Sequence, residues 1–270
     1  MIVRYIGLIG VFTLLGGQMA RCQQRELGIT GGVMSYLGEL NQRPYTDLRP
    51  AIGVSYRTTY QNRISWEHHL IAGRIGGADS LQSDPLQFNR NLHFRSNLIE
   101  LGTQLEINYF EYQMGSKRRF FSPYLFFGFS AFYSNPEANA NGQWFKLRAI
   151  GTEGQNLPGG KKYNLINFAV PVGAGFKISL GSRVSFAIFT GFRKTFFDHL
   201  DDVAGTYADP ELFRPEEAVF VDRSRIKQGV NGTNVGLERG NRNTKDWYNY
   251  TGFSLCFKTN RRQTACDRVR

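Results

Sequence analysis

Between Ile99 and Phe110 the chain alternates: Ile99, Leu101, Thr103, Leu105, Ile107 and Tyr109 fall on one side, Glu100, Gly102, Gln104, Glu106 and Asn108 on the other. Successive side chains of a strand point to opposite faces, so the stretch predicts a strand with one apolar and one polar face. The pattern recurs. Residues 51–61 set Ile52, Val54, Tyr56, Thr58 and Tyr60 against Gly53, Ser55, Arg57, Thr59 and Gln61, and 64–75 repeat it more loosely with Trp66 and Leu70. A tight turn near Asn62 joins these two. Further strands are predicted over 26–36, 122–133 (aromatic on both faces), 164–179, 183–193 and 247–258, about eight in all.

The polar faces carry glycines, amides and charges where a water-soluble core needs large apolar groups, while the apolar faces are long and aromatic at their ends. The connections alternate as well: about fourteen residues, then very few, about sixteen, about ten, thirty, very few, and fifty. Together these predict an all-β fold, an eight-stranded antiparallel transmembrane β-barrel with long loops on one side, short turns on the other and both termini in the periplasm. The apolar face then meets lipid and the polar face looks inward, because a sheet lies in hydrocarbon only when it closes and leaves no edge. Pro171, inside the sixth strand, cannot donate to a ladder, and a bulge is expected there. Eight strands enclose a space that side chains fill. Glu67, Glu100, Gln104, Glu106, Arg57, Lys177 and Arg193 are expected to form a lumenal network that plugs the barrel. A wet lumen further predicts that Gln104→Arg is tolerated while Leu105→Arg is not.

The first residues change the picture of where the chain works. Arg4 precedes an apolar run from Ile6 to Leu15, with Ala20 and Cys22 following, the pattern of a secretory signal peptide over 1–22. Lipid modification at Cys22 is the alternative, and Arg21 before it disfavours that. The expected organisation is signal peptide 1–22, barrel 23–258 and a basic tail 259–270, in the bacterial outer membrane. Loss of Arg4 and Arg21 takes the formal charge from +11 to +9. Export argues against nucleic acid as the reason for that excess and favours outer-membrane lipid, lipopolysaccharide phosphates or an acidic protein. Lys117, Arg118, Arg119 and the tail, with Arg261 and Arg262, carry much of it. Cys256 and Cys266 remain in a disulfide-permitting compartment, paired or free.

Candidate chemistry is sparse. Asp198, Asp201, Asp202 and Asp209 cluster in the longest loop, but the spacing and closing Glu of an EF-hand are missing, so no metal is assigned. His68 and His69 are adjacent on a strand and point to opposite faces; Ser55 or Ser65 near His69 reads as wet barrel wall. GTEGQ (151–155) and PGGKK (158–162) lack the spacing of a phosphate loop and read as flexible turns. No cofactor is expected.

Several strings carry a family likeness in order along the chain: YLGEL (36–40), SPY (122–124), NPEA (135–138), GTEGQ (151–155), PVGAGFK (171–177), RKTFFDHLDDVAGTY (193–207) and RGNRNTKDWY (239–248). With them the chain resembles the PorG family, outer-membrane barrel components of the type IX secretion system. The resemblance implies a non-enzymatic membrane component that anchors or contacts a periplasmic ring of the PorK/PorN kind. It brings no catalytic residues. Gly151, Thr152, Glu153, Gly154 and Gln155, then Leu200, Asp201, Asp202, Gly205 and Tyr207, then Lys245, Asp246 and Trp247, carry over as structural or partner-contacting positions. Because the loop lengths put the first two sets outside the cell, periplasmic contact would fall to Lys117–Arg119 and the tail. The alternative reading is a stand-alone small barrel that binds lipid or a hydrophobic ligand.

Overall fold

The computed structural model describes residues 23–241 and 244–259. The strands are β1 (Gln23–Leu37), β2 (Arg49–Tyr60), β3 (Ile64–Ala78), β4 (His93–Asn108), β5 (Phe121–Ala140), β6 (Gln143–Lys146), β7 (Ile166–Ser179), β8 (Val184–Thr195) and β9 (Trp247–Lys258). Eight of them close into an antiparallel barrel in which each pairs with its neighbours and β9 returns to β1; β6 only folds back on the end of β5. Residues 1–22, expected to be a signal peptide, and the tail residues Arg261, Arg262 and Cys266 lie outside the described residues.

The register sets the barrel's dimensions. A path followed from partner to partner leaves β1 at Arg25, passes Thr58, Trp66, Leu105, Phe127, Val172, Phe192 and Asn249, and re-enters β1 at Ser35, a stagger of ten residues. Eight strands with that stagger, about 3.3 Å per residue and about 4.8 Å between strands, tilt by about 40° and enclose a backbone cylinder of roughly 8 Å radius. At that tilt a strand of 12 residues, the length of β2, β8 and β9, rises about 30 Å, the thickness of a bilayer's hydrocarbon core.

The alternation sorts as the hydropathy pattern requires. Outward positions include Leu27, Ile29, Ile52, Val54, Trp66, Leu70, Leu101, Leu125, Phe127, Phe168, Val172, Phe176, Ile188 and Phe253, all exposed, with Leu101 63% and Leu125 66% accessible. Inward positions include Glu26, Ser55, Arg57, Glu67, His69, Glu100, Gln104, Glu106, Ser130, Lys177 and Arg193, all buried. A soluble protein does not leave an apolar band on every strand of a closed sheet; a membrane barrel must. No described helix is long and apolar enough to cross a membrane.

Two local expectations are corrected. At Pro171 the β5–β7 ladder breaks between the pairs Phe127↔Val172 and Ser130↔Ala169, but the register is the same on both sides. Nothing is inserted, so proline interrupts the ladder without a bulge, and β8 pairs normally across it through Pro171↔Arg193. The fifth strand, predicted to end at 133, runs on through NPEA (135–138) because Ser96↔Pro136 and Arg95↔Glu137 extend the pairing with β4. Pro136 is accommodated there because the other edge of β5 pairs with β7 only to Tyr133 and with β6 only from Glu137.

Connections 61–63, 109–120 and 180–183, two of them tight turns and the middle one as long as the loop 38–48, lie at the end where β1 begins and β9 finishes. Connections 38–48, 79–92, 141–165 and 196–246 lie at the other end and share a second core built from Leu40, Leu92, Leu147, Leu200, Val203 and Phe220.

Candidate functional site

Three regions hold the polar chemistry: the lumen, the cap made by the long loops, and the rim of short turns.

In the lumen, Arg57 of β2 meets three carboxylates. It binds Glu106 through two nitrogens, Nη2 and Nε, each at 3.0 Å, Glu67 at 2.5 Å and Glu26 at 3.3 Å. Lys177 of β7 reaches Glu106 from the far wall at 2.6 Å, and Gln104 donates to Glu67 at 3.1 Å. One layer toward the loops, Glu100 accepts from Tyr248 at 2.7 Å, pairs with Arg193 at 3.4 Å and meets His69 Nε2 at 2.8 Å. Gly102 is the register partner of His69, and a Cβ at 102 would collide with the imidazole Nε2; glycine here leaves room for the His69–Glu100 contact. The gap between the two layers is only about 20 Å³, room for a single water. The expected lumenal network is therefore present, with Glu26, Tyr248 and His69 added to it. His68 faces outward and His69 inward, as alternation demands. Cys256 Sγ is buried on the same wall, 3.5 Å from Arg57.

The cap brings together strings far apart in the chain. Asp202, in a left-handed conformation (φ 67°), accepts from Thr152 and, at 2.6 Å, from Tyr163, while its carbonyl takes a hydrogen bond from Arg239 at 2.6 Å. Arg239 also pairs with Glu153 at 3.0 Å, whose same oxygen accepts from Ala204 N. Asp246 accepts from Leu200 N at 2.9 Å, and its carbonyl receives Thr195 Oγ1. Gly151 ends the helical turn Leu147–Ile150 with φ 74°, a backbone shape glycine adopts without strain. Thr152, Leu200, Asp201, Asp202, Tyr207 and Asp246 are all buried, Glu153, Gly154 and Gln155 are partly so, and Lys245 pairs with Asp198 at 3.2 Å. GTEGQ, expected as a flexible turn, is thus packed into the cap, its Thr152 fully enclosed. Trp247 points outward at the barrel's loop end, with Lys194 5.5 Å from its ring.

The loop aspartates do not form one group. Asp209 caps the turn Pro210–Leu212, Asp198 holds Lys245, Asp202 serves the Thr152–Tyr163 contact, and only Asp201 joins a carboxylate cluster, with Asp246 and Glu39. Tyr36 at the end of β1 links that cluster: its hydroxyl lies 2.6 Å from Asp201 and 2.8 Å from Asp246. A phenol has one hydrogen to donate, so one of the two carboxyls must supply the proton for the second contact. Burial drives both aspartates well above the ordinary carboxylate range, reinforced at Asp201 by the charges of Asp246 and Glu39 and at Asp246 by those of Glu39 and Asp198. Burial also raises Asp202 to about 6, against the Arg239 guanidinium and its two hydroxyl donors. Sequence reading missed Glu39 and Tyr36 because their only link to Asp201 and Asp246 is closure of the barrel.

The rim carries the charge. Among the described residues, the loop side balances sixteen Lys and Arg against sixteen Asp and Glu, and the lumen sets Arg57, Lys177 and Arg193 against Glu26, Glu67, Glu100 and Glu106. The short-turn rim has Arg25, Arg63, Lys117, Arg118, Arg119, Arg183 and Lys258 against Glu111 alone. The whole positive surplus of the described chain sits there. Lys117, Arg118 and Arg119 are exposed, with Arg119 paired to Glu111 at 3.0 Å.

A family model described as a domain of unknown function, DUF6089, matches residues 6–214. No curated protein matches the chain. Solved structures with a similar course include Ail, the attachment invasion locus protein of Yersinia pestis, in complex with the heparin analogue sucrose octasulfate, at 7% identity and TM-score 0.42, covering 87% of this chain and 98% of that one. Neisserial surface protein A is similar at 6% identity and TM-score 0.44 over 87% and 96% of the two chains. The N-terminal barrel domain of Pseudomonas aeruginosa OprF follows at 12% identity and TM-score 0.36 over 88% and 99%.

Proposed function

Given that the chain belongs to the DUF6089 family and folds as a plugged, apolar-walled barrel, we propose that it is a non-enzymatic outer-membrane component of a type IX protein secretion machine, which anchors a periplasmic ring of the PorK/PorN kind. The observation that carries this reading is the division of charge among the described residues: a sealed lumen, a neutral cap, and a rim of seven cations and one acid at the end where β1 begins and β9 finishes. A barrel filled by ion pairs is poorly suited to conduct, and a basic rim is suited to hold an acidic partner. Lys117, Arg118 and Arg119 are the proposed contact, joined by Arg261 and Arg262 of the tail. The strings 151–155 and 200–207, packed largely into the cap, act through it and not as a docking face.

Co-purification from detergent-solubilised outer membrane tests the proposal. Ring proteins should accompany the wild-type barrel and be lost when Lys117, Arg118 and Arg119 are replaced by Gln, and deleting the barrel should leave cargo inside the cell. Normal secretion in the deletion strain together with a barrel that purifies alone would refute it.

A further inference from the structure

On the outer wall beside the rim, β4, β5 and β7 form an apolar groove of about 470 Å³ lined by Ile107, Tyr109, Pro123, Leu125, Ala174 and Phe176. Its shape follows from the register. Leu125 pairs with Ile107 on one side and Ala174 on the other, and Pro123 pairs with Phe176, so small or flat side chains alternate with bulky ones across three strands. Ala174 is the gap in the β7 row, between the exposed Val172 and Phe176. Phe121 stacks on Phe176 at 6.2 Å and closes the rim end of that wall. At the same end, Arg63 donates from Nη1 to the carbonyl of Tyr109 at 3.2 Å, which fixes an exposed guanidinium next to a residue that lines the groove.

We infer that this groove and Arg63 form a binding site for one anionic glycerophospholipid of the leaflet on the short-turn side, an acyl chain lying over Ala174 and the phosphate at the guanidinium. Charge complementarity selects that occupant. The surplus of the described chain lies on this rim and nowhere else, and each Lys or Arg held near an anionic leaflet attracts it, whereas a zwitterionic headgroup offers no such gain. The groove supplies what a diffuse basic belt lacks, a fixed apolar trough at one azimuth of the barrel. Arg63 suits the phosphate because its Nη1 is already oriented by the Tyr109 carbonyl and its remaining donors form a planar fork. The inference does not depend on the secretion role proposed above.

The test is native mass spectrometry of the refolded barrel in mild detergent with equal amounts of dioleoyl phosphatidylglycerol and dioleoyl phosphatidylcholine. Wild type should retain phosphatidylglycerol about fivefold more than phosphatidylcholine, the effect of roughly one cation at a headgroup. Ala174→Phe should lower retention of both lipids by filling the trough, and Arg63→Gln should equalise them. Heat-modifiable gel mobility confirms that each variant has folded. Equal retention of the two lipids by wild type, or an Ala174→Phe variant with unchanged retention, overturns the site. Loss of preference only when Lys117, Arg118 and Arg119 are replaced, with Arg63→Gln unchanged, also overturns it and assigns the effect to the rim as a whole. Ring co-purification should be unaffected by Ala174→Phe, so failure here and failure of the secretion role are distinguishable.

Discussion

Replacing Arg57 by Met tests whether the lumen is held together by its ion network. Arg57 is 3% exposed and touches Glu26, Glu67 and Glu106, while Lys177 pairs directly with Glu106. Methionine keeps most of the volume but leaves three buried carboxylates facing one ammonium. Removing one partner of a buried ion pair typically costs about 3–5 kcal/mol, because the stranded charge loses its compensation and regains no water. With a denaturant slope of roughly 2–3 kcal/mol/M, the midpoint of urea unfolding in phosphocholine micelles should fall by about 1–2.5 M. Tryptophan fluorescence and gel mobility follow the transition. Two controls locate the effect. Arg63→Met removes a cation from the exposed rim and should change stability by less than about 0.5 kcal/mol. Arg57→Met combined with Glu67→Gln removes one stranded charge, keeps an acceptor for Gln104, and should recover part of the loss. If Arg57→Met unfolds within about 0.5 kcal/mol of wild type, or no more easily than Arg63→Met, the network contributes nothing and the lumen is wet.

Further outcomes follow from the same structure. Leu105→Arg places a cation on the lipid face and should cost about 2–4 kcal/mol near the midplane, read from urea unfolding in micelles. Gln104→Arg, tolerable in a wet lumen, should instead cost about 1–3 kcal/mol, because Gln104 is packed against Glu67 in a filled one; a neutral effect on the same curve would show spare room. Gly102→Ala drives a methyl into His69 and should cost about 1–3 kcal/mol, with a shifted His69 imidazole resonance as its signature; an unmoved resonance would mean that the wall yields freely. The cap should loosen as pH rises. Asp202 holds its proton in the folded state up to about 6, so its contribution is fully present below the unfolded carboxyl value of about 3.9 and is lost as pH passes 6, a change of about 3 kcal/mol. Amide exchange over 200–207, corrected for its intrinsic pH dependence, should speed up between roughly pH 4 and 7, and a flat profile would refute the assignment.

The alternation at 99–110 and 51–61 was enough to specify strands, their two faces and a closed sheet, since only closure lets a sheet with an apolar outside satisfy its backbone. The inward set Arg57, Glu67, Glu100, Glu106, Lys177 and Arg193 was legible for the same reason: alternation assigns a face without knowledge of the partner. What alternation cannot supply is register. The ten-residue stagger decides that Arg57 meets Glu106 two strands away, that Gly102 lies beside His69, and that Pro171 breaks a ladder without shifting it. The loops carry no periodicity, so GTEGQ read as a mobile turn until closure brought Thr152 to Asp202 and Tyr36 to Asp201 and Asp246. Composition likewise announced a basic protein. Its address, the rim of short turns, came only from counting which end of each strand every charge occupies, because net charge is a sum and position is a property of the fold.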